Sequence, residues 1–260
     1  MTHIGQRLAD YYNRARDVIC VETSVVLPIG IDYSPLGFSR TVESELRIES
    51  DGDDPRAEPK VVRHIRKVNG RTPNERDKKD RSGCTDPEPL GTEPLTFLLP
   101  DNREQYEFTW AGFGTNKDRD AFMIDFASTN RRSRAELIED KLGHADCFDW
   151  SGDLAVTGRI WVDANTYDVL QIERHLRGPV DVRVPTRIQR RHHLDAWVTL
   201  ERDDVTIRYR PVAFTDPEQV LLLPESINLV TMVRGGLQST RRSQTFSDYK
   251  RFITGGRIAK

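Results

Sequence analysis

The chain has 260 residues, with Lys+Arg 39 against Asp+Glu 41 and a formal net charge of −2, so it lacks the basic excess with which nucleic-acid binders neutralise phosphate. Hydrophobic residues make up 37% and charged residues 31%, enough for a modest core under a heavily charged surface in one large domain or two small ones. No apolar run approaches the roughly 20 residues needed to cross a bilayer.

In chain order, the start MTHIGQRLADYYNRARDVIC lacks the charged and apolar regions of a secretory signal; the protein is cytoplasmic, or its signal has been removed. Ile4, Leu8, Tyr11, Tyr12, Ala15 and Ile19 recur near helical spacing and predict an amphipathic helix over roughly the first 17 residues. Val18 to Pro28 is β-branched and predicts a strand. From Phe38 to Ile48 the pattern alternates, with Phe38, Val42, Leu46 and Ile48 on one face and Ser39, Thr41, Glu43, Glu45 and Arg47 on the other, as in a half-buried antiparallel strand. Val61 to Val68 predicts a strand ending at an Asn69-Gly70 turn, followed by a long charged loop over residues 71–93.

PLTFLLP predicts a helical turn or two. Tyr106, Phe108 and Trp110 share one strand face, AFMIDFAS predicts another strand, and RRSRAELIEDKLG predicts a short helix or exposed loop. In GRIWVDANTYDVLQIERHL, Gly158 to Leu176, two strands flank a turn at Asp163–Thr166. Ile160 and Val162 share a face there with Trp161 opposite, and Leu170, Ile172 and Leu176 share a face across the turn. Three more strands follow, for about nine to eleven in all with two or three helices and no βαβ alternation. The fold class is therefore α+β, mainly antiparallel β: a strongly curved incomplete barrel, or half-barrel, covered by a few helices, in a single domain over residues 1–260.

The three cysteines, Cys20, Cys84 and Cys147, form no C-x-x-C pair. A disulfide between Cys84 and Cys147 is open in an oxidising compartment, and so is the reading in which these are thiols without a role. His192, His193 and Asp195 could serve a cryptic metal-dependent hydrolase, against a solvated basic strand or loop as the plainer reading; no H-E-x-x-H spacing supports a metal site. His144 and Cys147 lack the companions zinc requires. No nucleophile elbow or phosphate-cradling glycine loop occurs, so no catalytic residue, metal or cofactor is expected. The basic clusters NRRSR, RIQRR and STRRSQ read as solvated sheet faces, without the interleaved aromatics of an RNA reader.

The hairpin GRIWVDANTYDVLQIE (Gly158–Glu173) resembles that of the lipoprotein-localisation superfamily, which comprises LolA/LolB-like outer-membrane lipoprotein carriers and related periplasmic sensor domains. The N-terminal helix, the strand ending VNGRTP, LLLPESINLV (Leu221–Val230) and FSDYKRF (Phe246–Phe252) fit the same order. The resemblance implies an incomplete barrel enclosing an apolar cavity, and a non-enzymatic periplasmic or cell-envelope protein whose signal has been removed. Its partners would be a lipid or lipoprotein acyl chain, or an envelope protein, with no nucleic acid and no membrane-spanning segment. The charged 71–93 insertion departs from the small carriers, and no carrier residue can be matched one to one.

The cavity-facing candidates are Phe38, Val42, Leu46, Phe108, Trp110, Ile160, Val162, Leu170 and Ile172. A charged residue at Trp110 or Ile160 is expected to abolish lipid-probe binding. The alternative is a regulatory or structural interaction module with a packed interior, meeting a protein through a strand edge or the 71–93 loop.

Overall fold

The computed structural model describes residues 4–6, 18–49, 60–74, 95–99, 102–139, 148–215 and 218–251. Its strands are β1 (Val18–Ile29), β2 (Arg40–Glu49), β3 (Lys60–Val68), β4 (Tyr106–Asn116), β5 (Arg119–Ser128), β6 (Arg134–Glu139) and β7 (Phe148–Asp153). They continue as β8 (Val156–Asp163), β9 (Val169–Leu176), β10 (Val180–Arg183), β11 (Trp197–Thr215), β12 (Glu218–Arg234) and β13 (Ser239–Arg251). One short helix, α1 (Thr186–His192), stands between β10 and β11. Of the predicted N-terminal helix only residues 4–6 are described; they are helical, and Ile4 is buried. Residues 50–59, residues 75–93 of the predicted charged loop, His144, Cys84, Cys147 and Phe252 lie outside the described residues.

Ten strands form one antiparallel path, β3-β2-β1-β13-β12-β11-β9-β8-β5-β4, with β10 added beside β11. The sheet does not close: β3 and β4 are its two ends. The pairing of β1 with β13 joins the first and last strands inside the path. Register shifts near Ile19, Glu43, Trp110, Trp161, Leu200 and Arg208 insert extra residues of the kind that bend and twist a strand.

One line of directly opposed residues crosses the whole path. It runs Val68–Val42–Ser24–Gln244–Ile227–Ile207–Ile172–Ile160–Ile124–Trp110. Directly opposed residues project to the same side of a sheet, so five isoleucines stack across β12, β11, β9, β8 and β5. They belong to one buried cluster with Leu46, Phe126, Val162, Val169 and Phe246, covered by Ile4, Leu95 and Leu98. Across β1, β2 and β13 the same face turns polar: Glu22, Ser24, Ser44, Gln244 and Arg242 are all buried. Glu22 accepts hydrogen bonds from Arg63 at 2.6 and 2.9 Å and from Gln244 at 2.8 Å.

The GRIWVD hairpin is a wall element. At Gly158 a Cβ would stand 2.0 Å from the Glu173 carbonyl oxygen and 2.6 Å from the Phe126 ring. Asp163 closes the turn by accepting from the N–H groups of Asn165 and Thr166 at 2.9 and 2.8 Å, and it pairs with Arg119 at 2.8 Å. Burial pushes its carboxyl up, but the Thr166 and Asn165 N–H groups, Arg119 and the Thr166 hydroxyl outweigh that and hold it below the usual value.

Three expectations are corrected here. Arg134–Glu139 is a strand, not a helix or loop, because it pairs with β7 in a separate two-stranded sheet and buries Leu137 in a second apolar cluster; packing overrides helix propensity. The His192 segment is a helix, not a strand or loop: it buries Ile188 in that same cluster and ends at His193, whose φ is 54°. Arg242 and Gln244, within the predicted solvated STRRSQ cluster, are buried because β13 is interior to the sheet.

Candidate functional site

The nine cavity-facing candidates part company. Val42, Leu46, Ile160, Val162 and Ile172 are buried on the inner face of the sheet, Leu46 and the latter three within the main cluster. Leu170 is buried too, but the shift between Trp161 and Val162 sets Val169 opposite Val162, and Val169 takes the place beside Ile172 in that cluster. Phe108 packs, half-buried, against the cluster edge. Phe38 does not share the face of Val42 and Leu46: it precedes β2 and is 99% exposed, because the strand pairing begins only at Arg40, opposite Val26.

Trp110 stands opposite Ile124 on the apolar side, yet it is 56% exposed, since β4 is an end strand with a neighbour on one side only. Its ring meets Phe113, 77% exposed, at 5.0 Å and Phe122 at 5.8 Å. Phe122 in turn meets Tyr167 at 5.8 Å. These rings continue outward from the half-buried Phe97, Tyr106 and Phe108, which pack around the buried Phe126, forming an aromatic lip.

The hydrolase candidates do not assemble a metal site. His192 lies 3.3 Å from Glu139 and edge-on to Phe148, and His193 caps the helix. Among the described residues no group of three or more His, Cys, Asp or Glu could hold a metal.

An opening on the inner face lies elsewhere, next to the isoleucine line. Two residues further along the strands, Arg174, Val205, Leu229 and Arg242 stand opposite one another on β9, β11, β12 and β13. The next tier is Asp203, Thr231 and Thr240. Together with Phe148 and Trp150 of β7, and with Leu154, Val233, Leu237 and Gln238, these tiers line a cavity of about 310 Å³. Its size is at the lower end of the range for small-molecule sites.

Each wall has a separate origin. The floor is formed by Val205, Thr231 and Thr240, whose side chains are shorter than the isoleucines beside them. Phe148 and Trp150 are held over it by the β6–β7 sheet, whose Leu137 anchors in the second cluster against Val182, Val198 and Leu200. Polar groups gather at the margins: Arg174 pairs with Asp203 at 2.7 Å, and Thr231 donates to Asp203 at 3.4 Å. The Nε of Arg174 is buried without a hydrogen-bond partner among the described residues. Arg242, three strands away at the other side of Val205 and Leu229, is 8% exposed.

The sequence reading misses this cavity: Arg242 lies within STRRSQ, read as a solvated sheet face, and Phe148, Trp150 and Arg174 belong to no motif. One signal is present: Arg174 alternates with Ile172 and Asp203 with Val205, so both fall on the inward phase of their own strands.

Comparison with family models and with curated proteins returns no match. Solved structures do match. One is an outer membrane lipoprotein-sorting protein domain from Vibrio parahaemolyticus, at 12% identity and a TM-score of 0.39, covering 96% of this chain and 94% of that one. A LolA superfamily protein from Nitrosomonas europaea matches at 9% identity and 0.39, covering 98% and 94%. A DUF1329 family protein from Desulfovibrio piger matches at 7% identity and 0.39, again covering 98% and 94%.

Proposed function

We propose that this protein is a non-enzymatic binding protein of the bacterial cell envelope that holds an acyl chain or similar apolar group on the inner face of its open sheet. The observation that carries this is the cavity between the main sheet and the β6–β7 sheet, walled by Phe148, Trp150, Leu154, Val205, Leu229, Val233 and Leu237. Covering these side chains with an apolar guest removes them from water at about 25 cal/mol per Å². The envelope setting rests on the hairpin motif and its resemblance to the lipoprotein-localisation superfamily. No helix among the described residues is long and apolar enough to cross a membrane.

A second reading has its own support. The isoleucine line is packed, and the exposed Trp110, Phe113 and Tyr167 lie at or beside the end strand β4, where a protein segment could add to the sheet edge. Native mass spectrometry with lipid extraction, on protein purified from envelope-targeted expression, separates the two. Co-purifying acyl species, lost in a folded Leu229→Trp variant that fills the cavity, support the carrier or sensor reading. A clean apoprotein overturns it in favour of the interaction module.

A further inference from the structure

The outer face of the main sheet holds a cluster that the acyl-chain reading does not use. Residues adjoining the isoleucine line in sequence project to the opposite side of the sheet. There Gln171, Arg208, Ser226 and Thr245 stand directly opposite one another on β9, β11, β12 and β13. Arg210 lies two residues beyond Arg208 on the same side, about 7 Å away along the strand. Between Arg208 and Tyr209 the register with β12 shifts, and Glu225 is the extra residue. Bulges of this kind re-aim a side chain, and Glu225 meets Lys117 of the β4–β5 turn at 2.5 Å. Arg208, Arg210, Ser226, Thr245, Lys117 and Glu225 all line one open depression of about 610 Å³.

Its charge is unbalanced. Lys117 and Glu225 neutralise each other, which leaves the two guanidiniums. Arg208 donates from Nε to the side-chain oxygen of Gln171 at 3.2 Å, and Arg210 stands over the Tyr249 ring, 5.7 Å from its centroid. Neither partner is an anion, and among the described residues neither arginine forms an ion pair. Other cations of the same face are matched: Arg47, Lys67 and Arg159 pair with Glu45, Glu43 and Asp125 at 2.7, 3.0 and 2.6 Å. Two like charges side by side repel, and an anion bridging them converts that repulsion into charge-assisted hydrogen bonds. Each guanidinium presents a planar fork of donors, and Ser226 and Thr245 add hydroxyls in the tier of Arg208.

We propose that this depression binds a phosphate monoester, its terminal oxygens bridging Arg208 and Arg210 and reaching the Ser226 and Thr245 hydroxyls. Such a group carries about −1.5 to −2 charges at pH 7 and three acceptor oxygens, which matches two guanidiniums. A carboxylate brings one charge and one oxygen pair, enough for a single fork. The site lies on the opposite side of the sheet from the cavity, so it stands or falls independently of the acyl-chain reading. A soluble phosphate and a lipid head group offer the same chemistry, and the arms of the test separate them.

The test is calorimetric titration of the full chain with glycerol 3-phosphate and with acetate, together with flotation on phosphatidylcholine vesicles with and without phosphatidate. For a soluble ligand, glycerol 3-phosphate binds at least about tenfold more tightly than acetate, and binding tightens as pH rises through the second phosphate ionisation near about 6. Joint replacement Arg208→Gln and Arg210→Gln weakens it at least about tenfold, while Arg159→Gln on the same face leaves it unchanged. Flotation that requires phosphatidate and is lost in the double variant assigns the lipid head group; glycerol 3-phosphate binding without flotation assigns a soluble phosphate. Equal affinity for glycerol 3-phosphate and acetate without phosphatidate-dependent flotation, unchanged binding in a folded double variant, or neither binding nor flotation overturns the site. The ligand comparison and its pH dependence need only the unaltered protein, so they decide the question even where the double variant fails to fold.

Discussion

Gly158 and Phe126 face each other across β8 and β5, with the aromatic ring lying where a side chain on residue 158 would have to go. The glycine of the hairpin motif is thereby explained by packing: it leaves room for the ring and for the Glu173 carbonyl of the next strand. Gly158→Ala places a Cβ 2.0 Å from that carbonyl oxygen, so β8 and β9 must shift. Overpacking of this kind costs about 1–3 kcal/mol. Urea unfolding is expected to show a lower midpoint with an unchanged slope; an unaltered midpoint would show that the strands separate freely there.

The Glu22–Arg63–Gln244 group is a buried polar bridge between β1, β3 and β13. Glu22 is fully buried and Arg63 nearly so. Removing one partner leaves a charge without its counter-ion, and Arg63→Met is expected to cost about 3–5 kcal/mol. The double variant Arg63→Met with Glu22→Leu should recover most of that loss, since replacing both members of a buried pair by apolar groups is often neutral. A double-mutant cycle measures it, and simple additivity of the two losses would refute the coupling.

Asp163 makes the hairpin turn sensitive to acid. Its carboxyl is held below the ordinary 3.8 in the folded protein, so the unfolded chain takes up a proton first. Its stabilising contribution is complete above the unfolded value and is lost as pH falls from about 4 through the lower folded value. Asp163→Asn should therefore flatten the acid limb of the stability curve below pH 4 while lowering stability at neutral pH. An acid limb identical to that of the unaltered protein would remove Asp163 as its source.

Cys20 is a buried thiol that burial pushes up to about 12, with Glu22 adding to the rise and Arg63 opposing it. A thiolate is the reactive form, so Cys20 should resist alkylation at pH 8 until the fold opens. Because folding favours the neutral thiol, its contribution is full below the unfolded value of about 9 and declines as pH rises from there towards 12. Pulsed alkylation with peptide mapping checks this; rapid labelling of Cys20 in the folded protein would contradict its burial.

The sequence by itself determined which face turns inward in β2 and in the hairpin strands β8 and β9. Side chains alternate with a period of two, a local rule, and it placed Val42 and Leu46 of β2, and Ile160, Val162 and Ile172 of the hairpin, on the buried side. What only the tertiary structure decided depends on strand order and on bulges. A single extra residue near Trp161 exchanged Val169 for Leu170, and a late start to β2 left Phe38 in water. The interior position of β13 buried Arg242, which looks like a surface residue in STRRSQ. Phe148 and Trp150 became a roof because β6 and β7 pair with each other away from the main sheet. Non-local pairing sets each of these outcomes, and the alternation of one strand carries no record of which strand lies beside it.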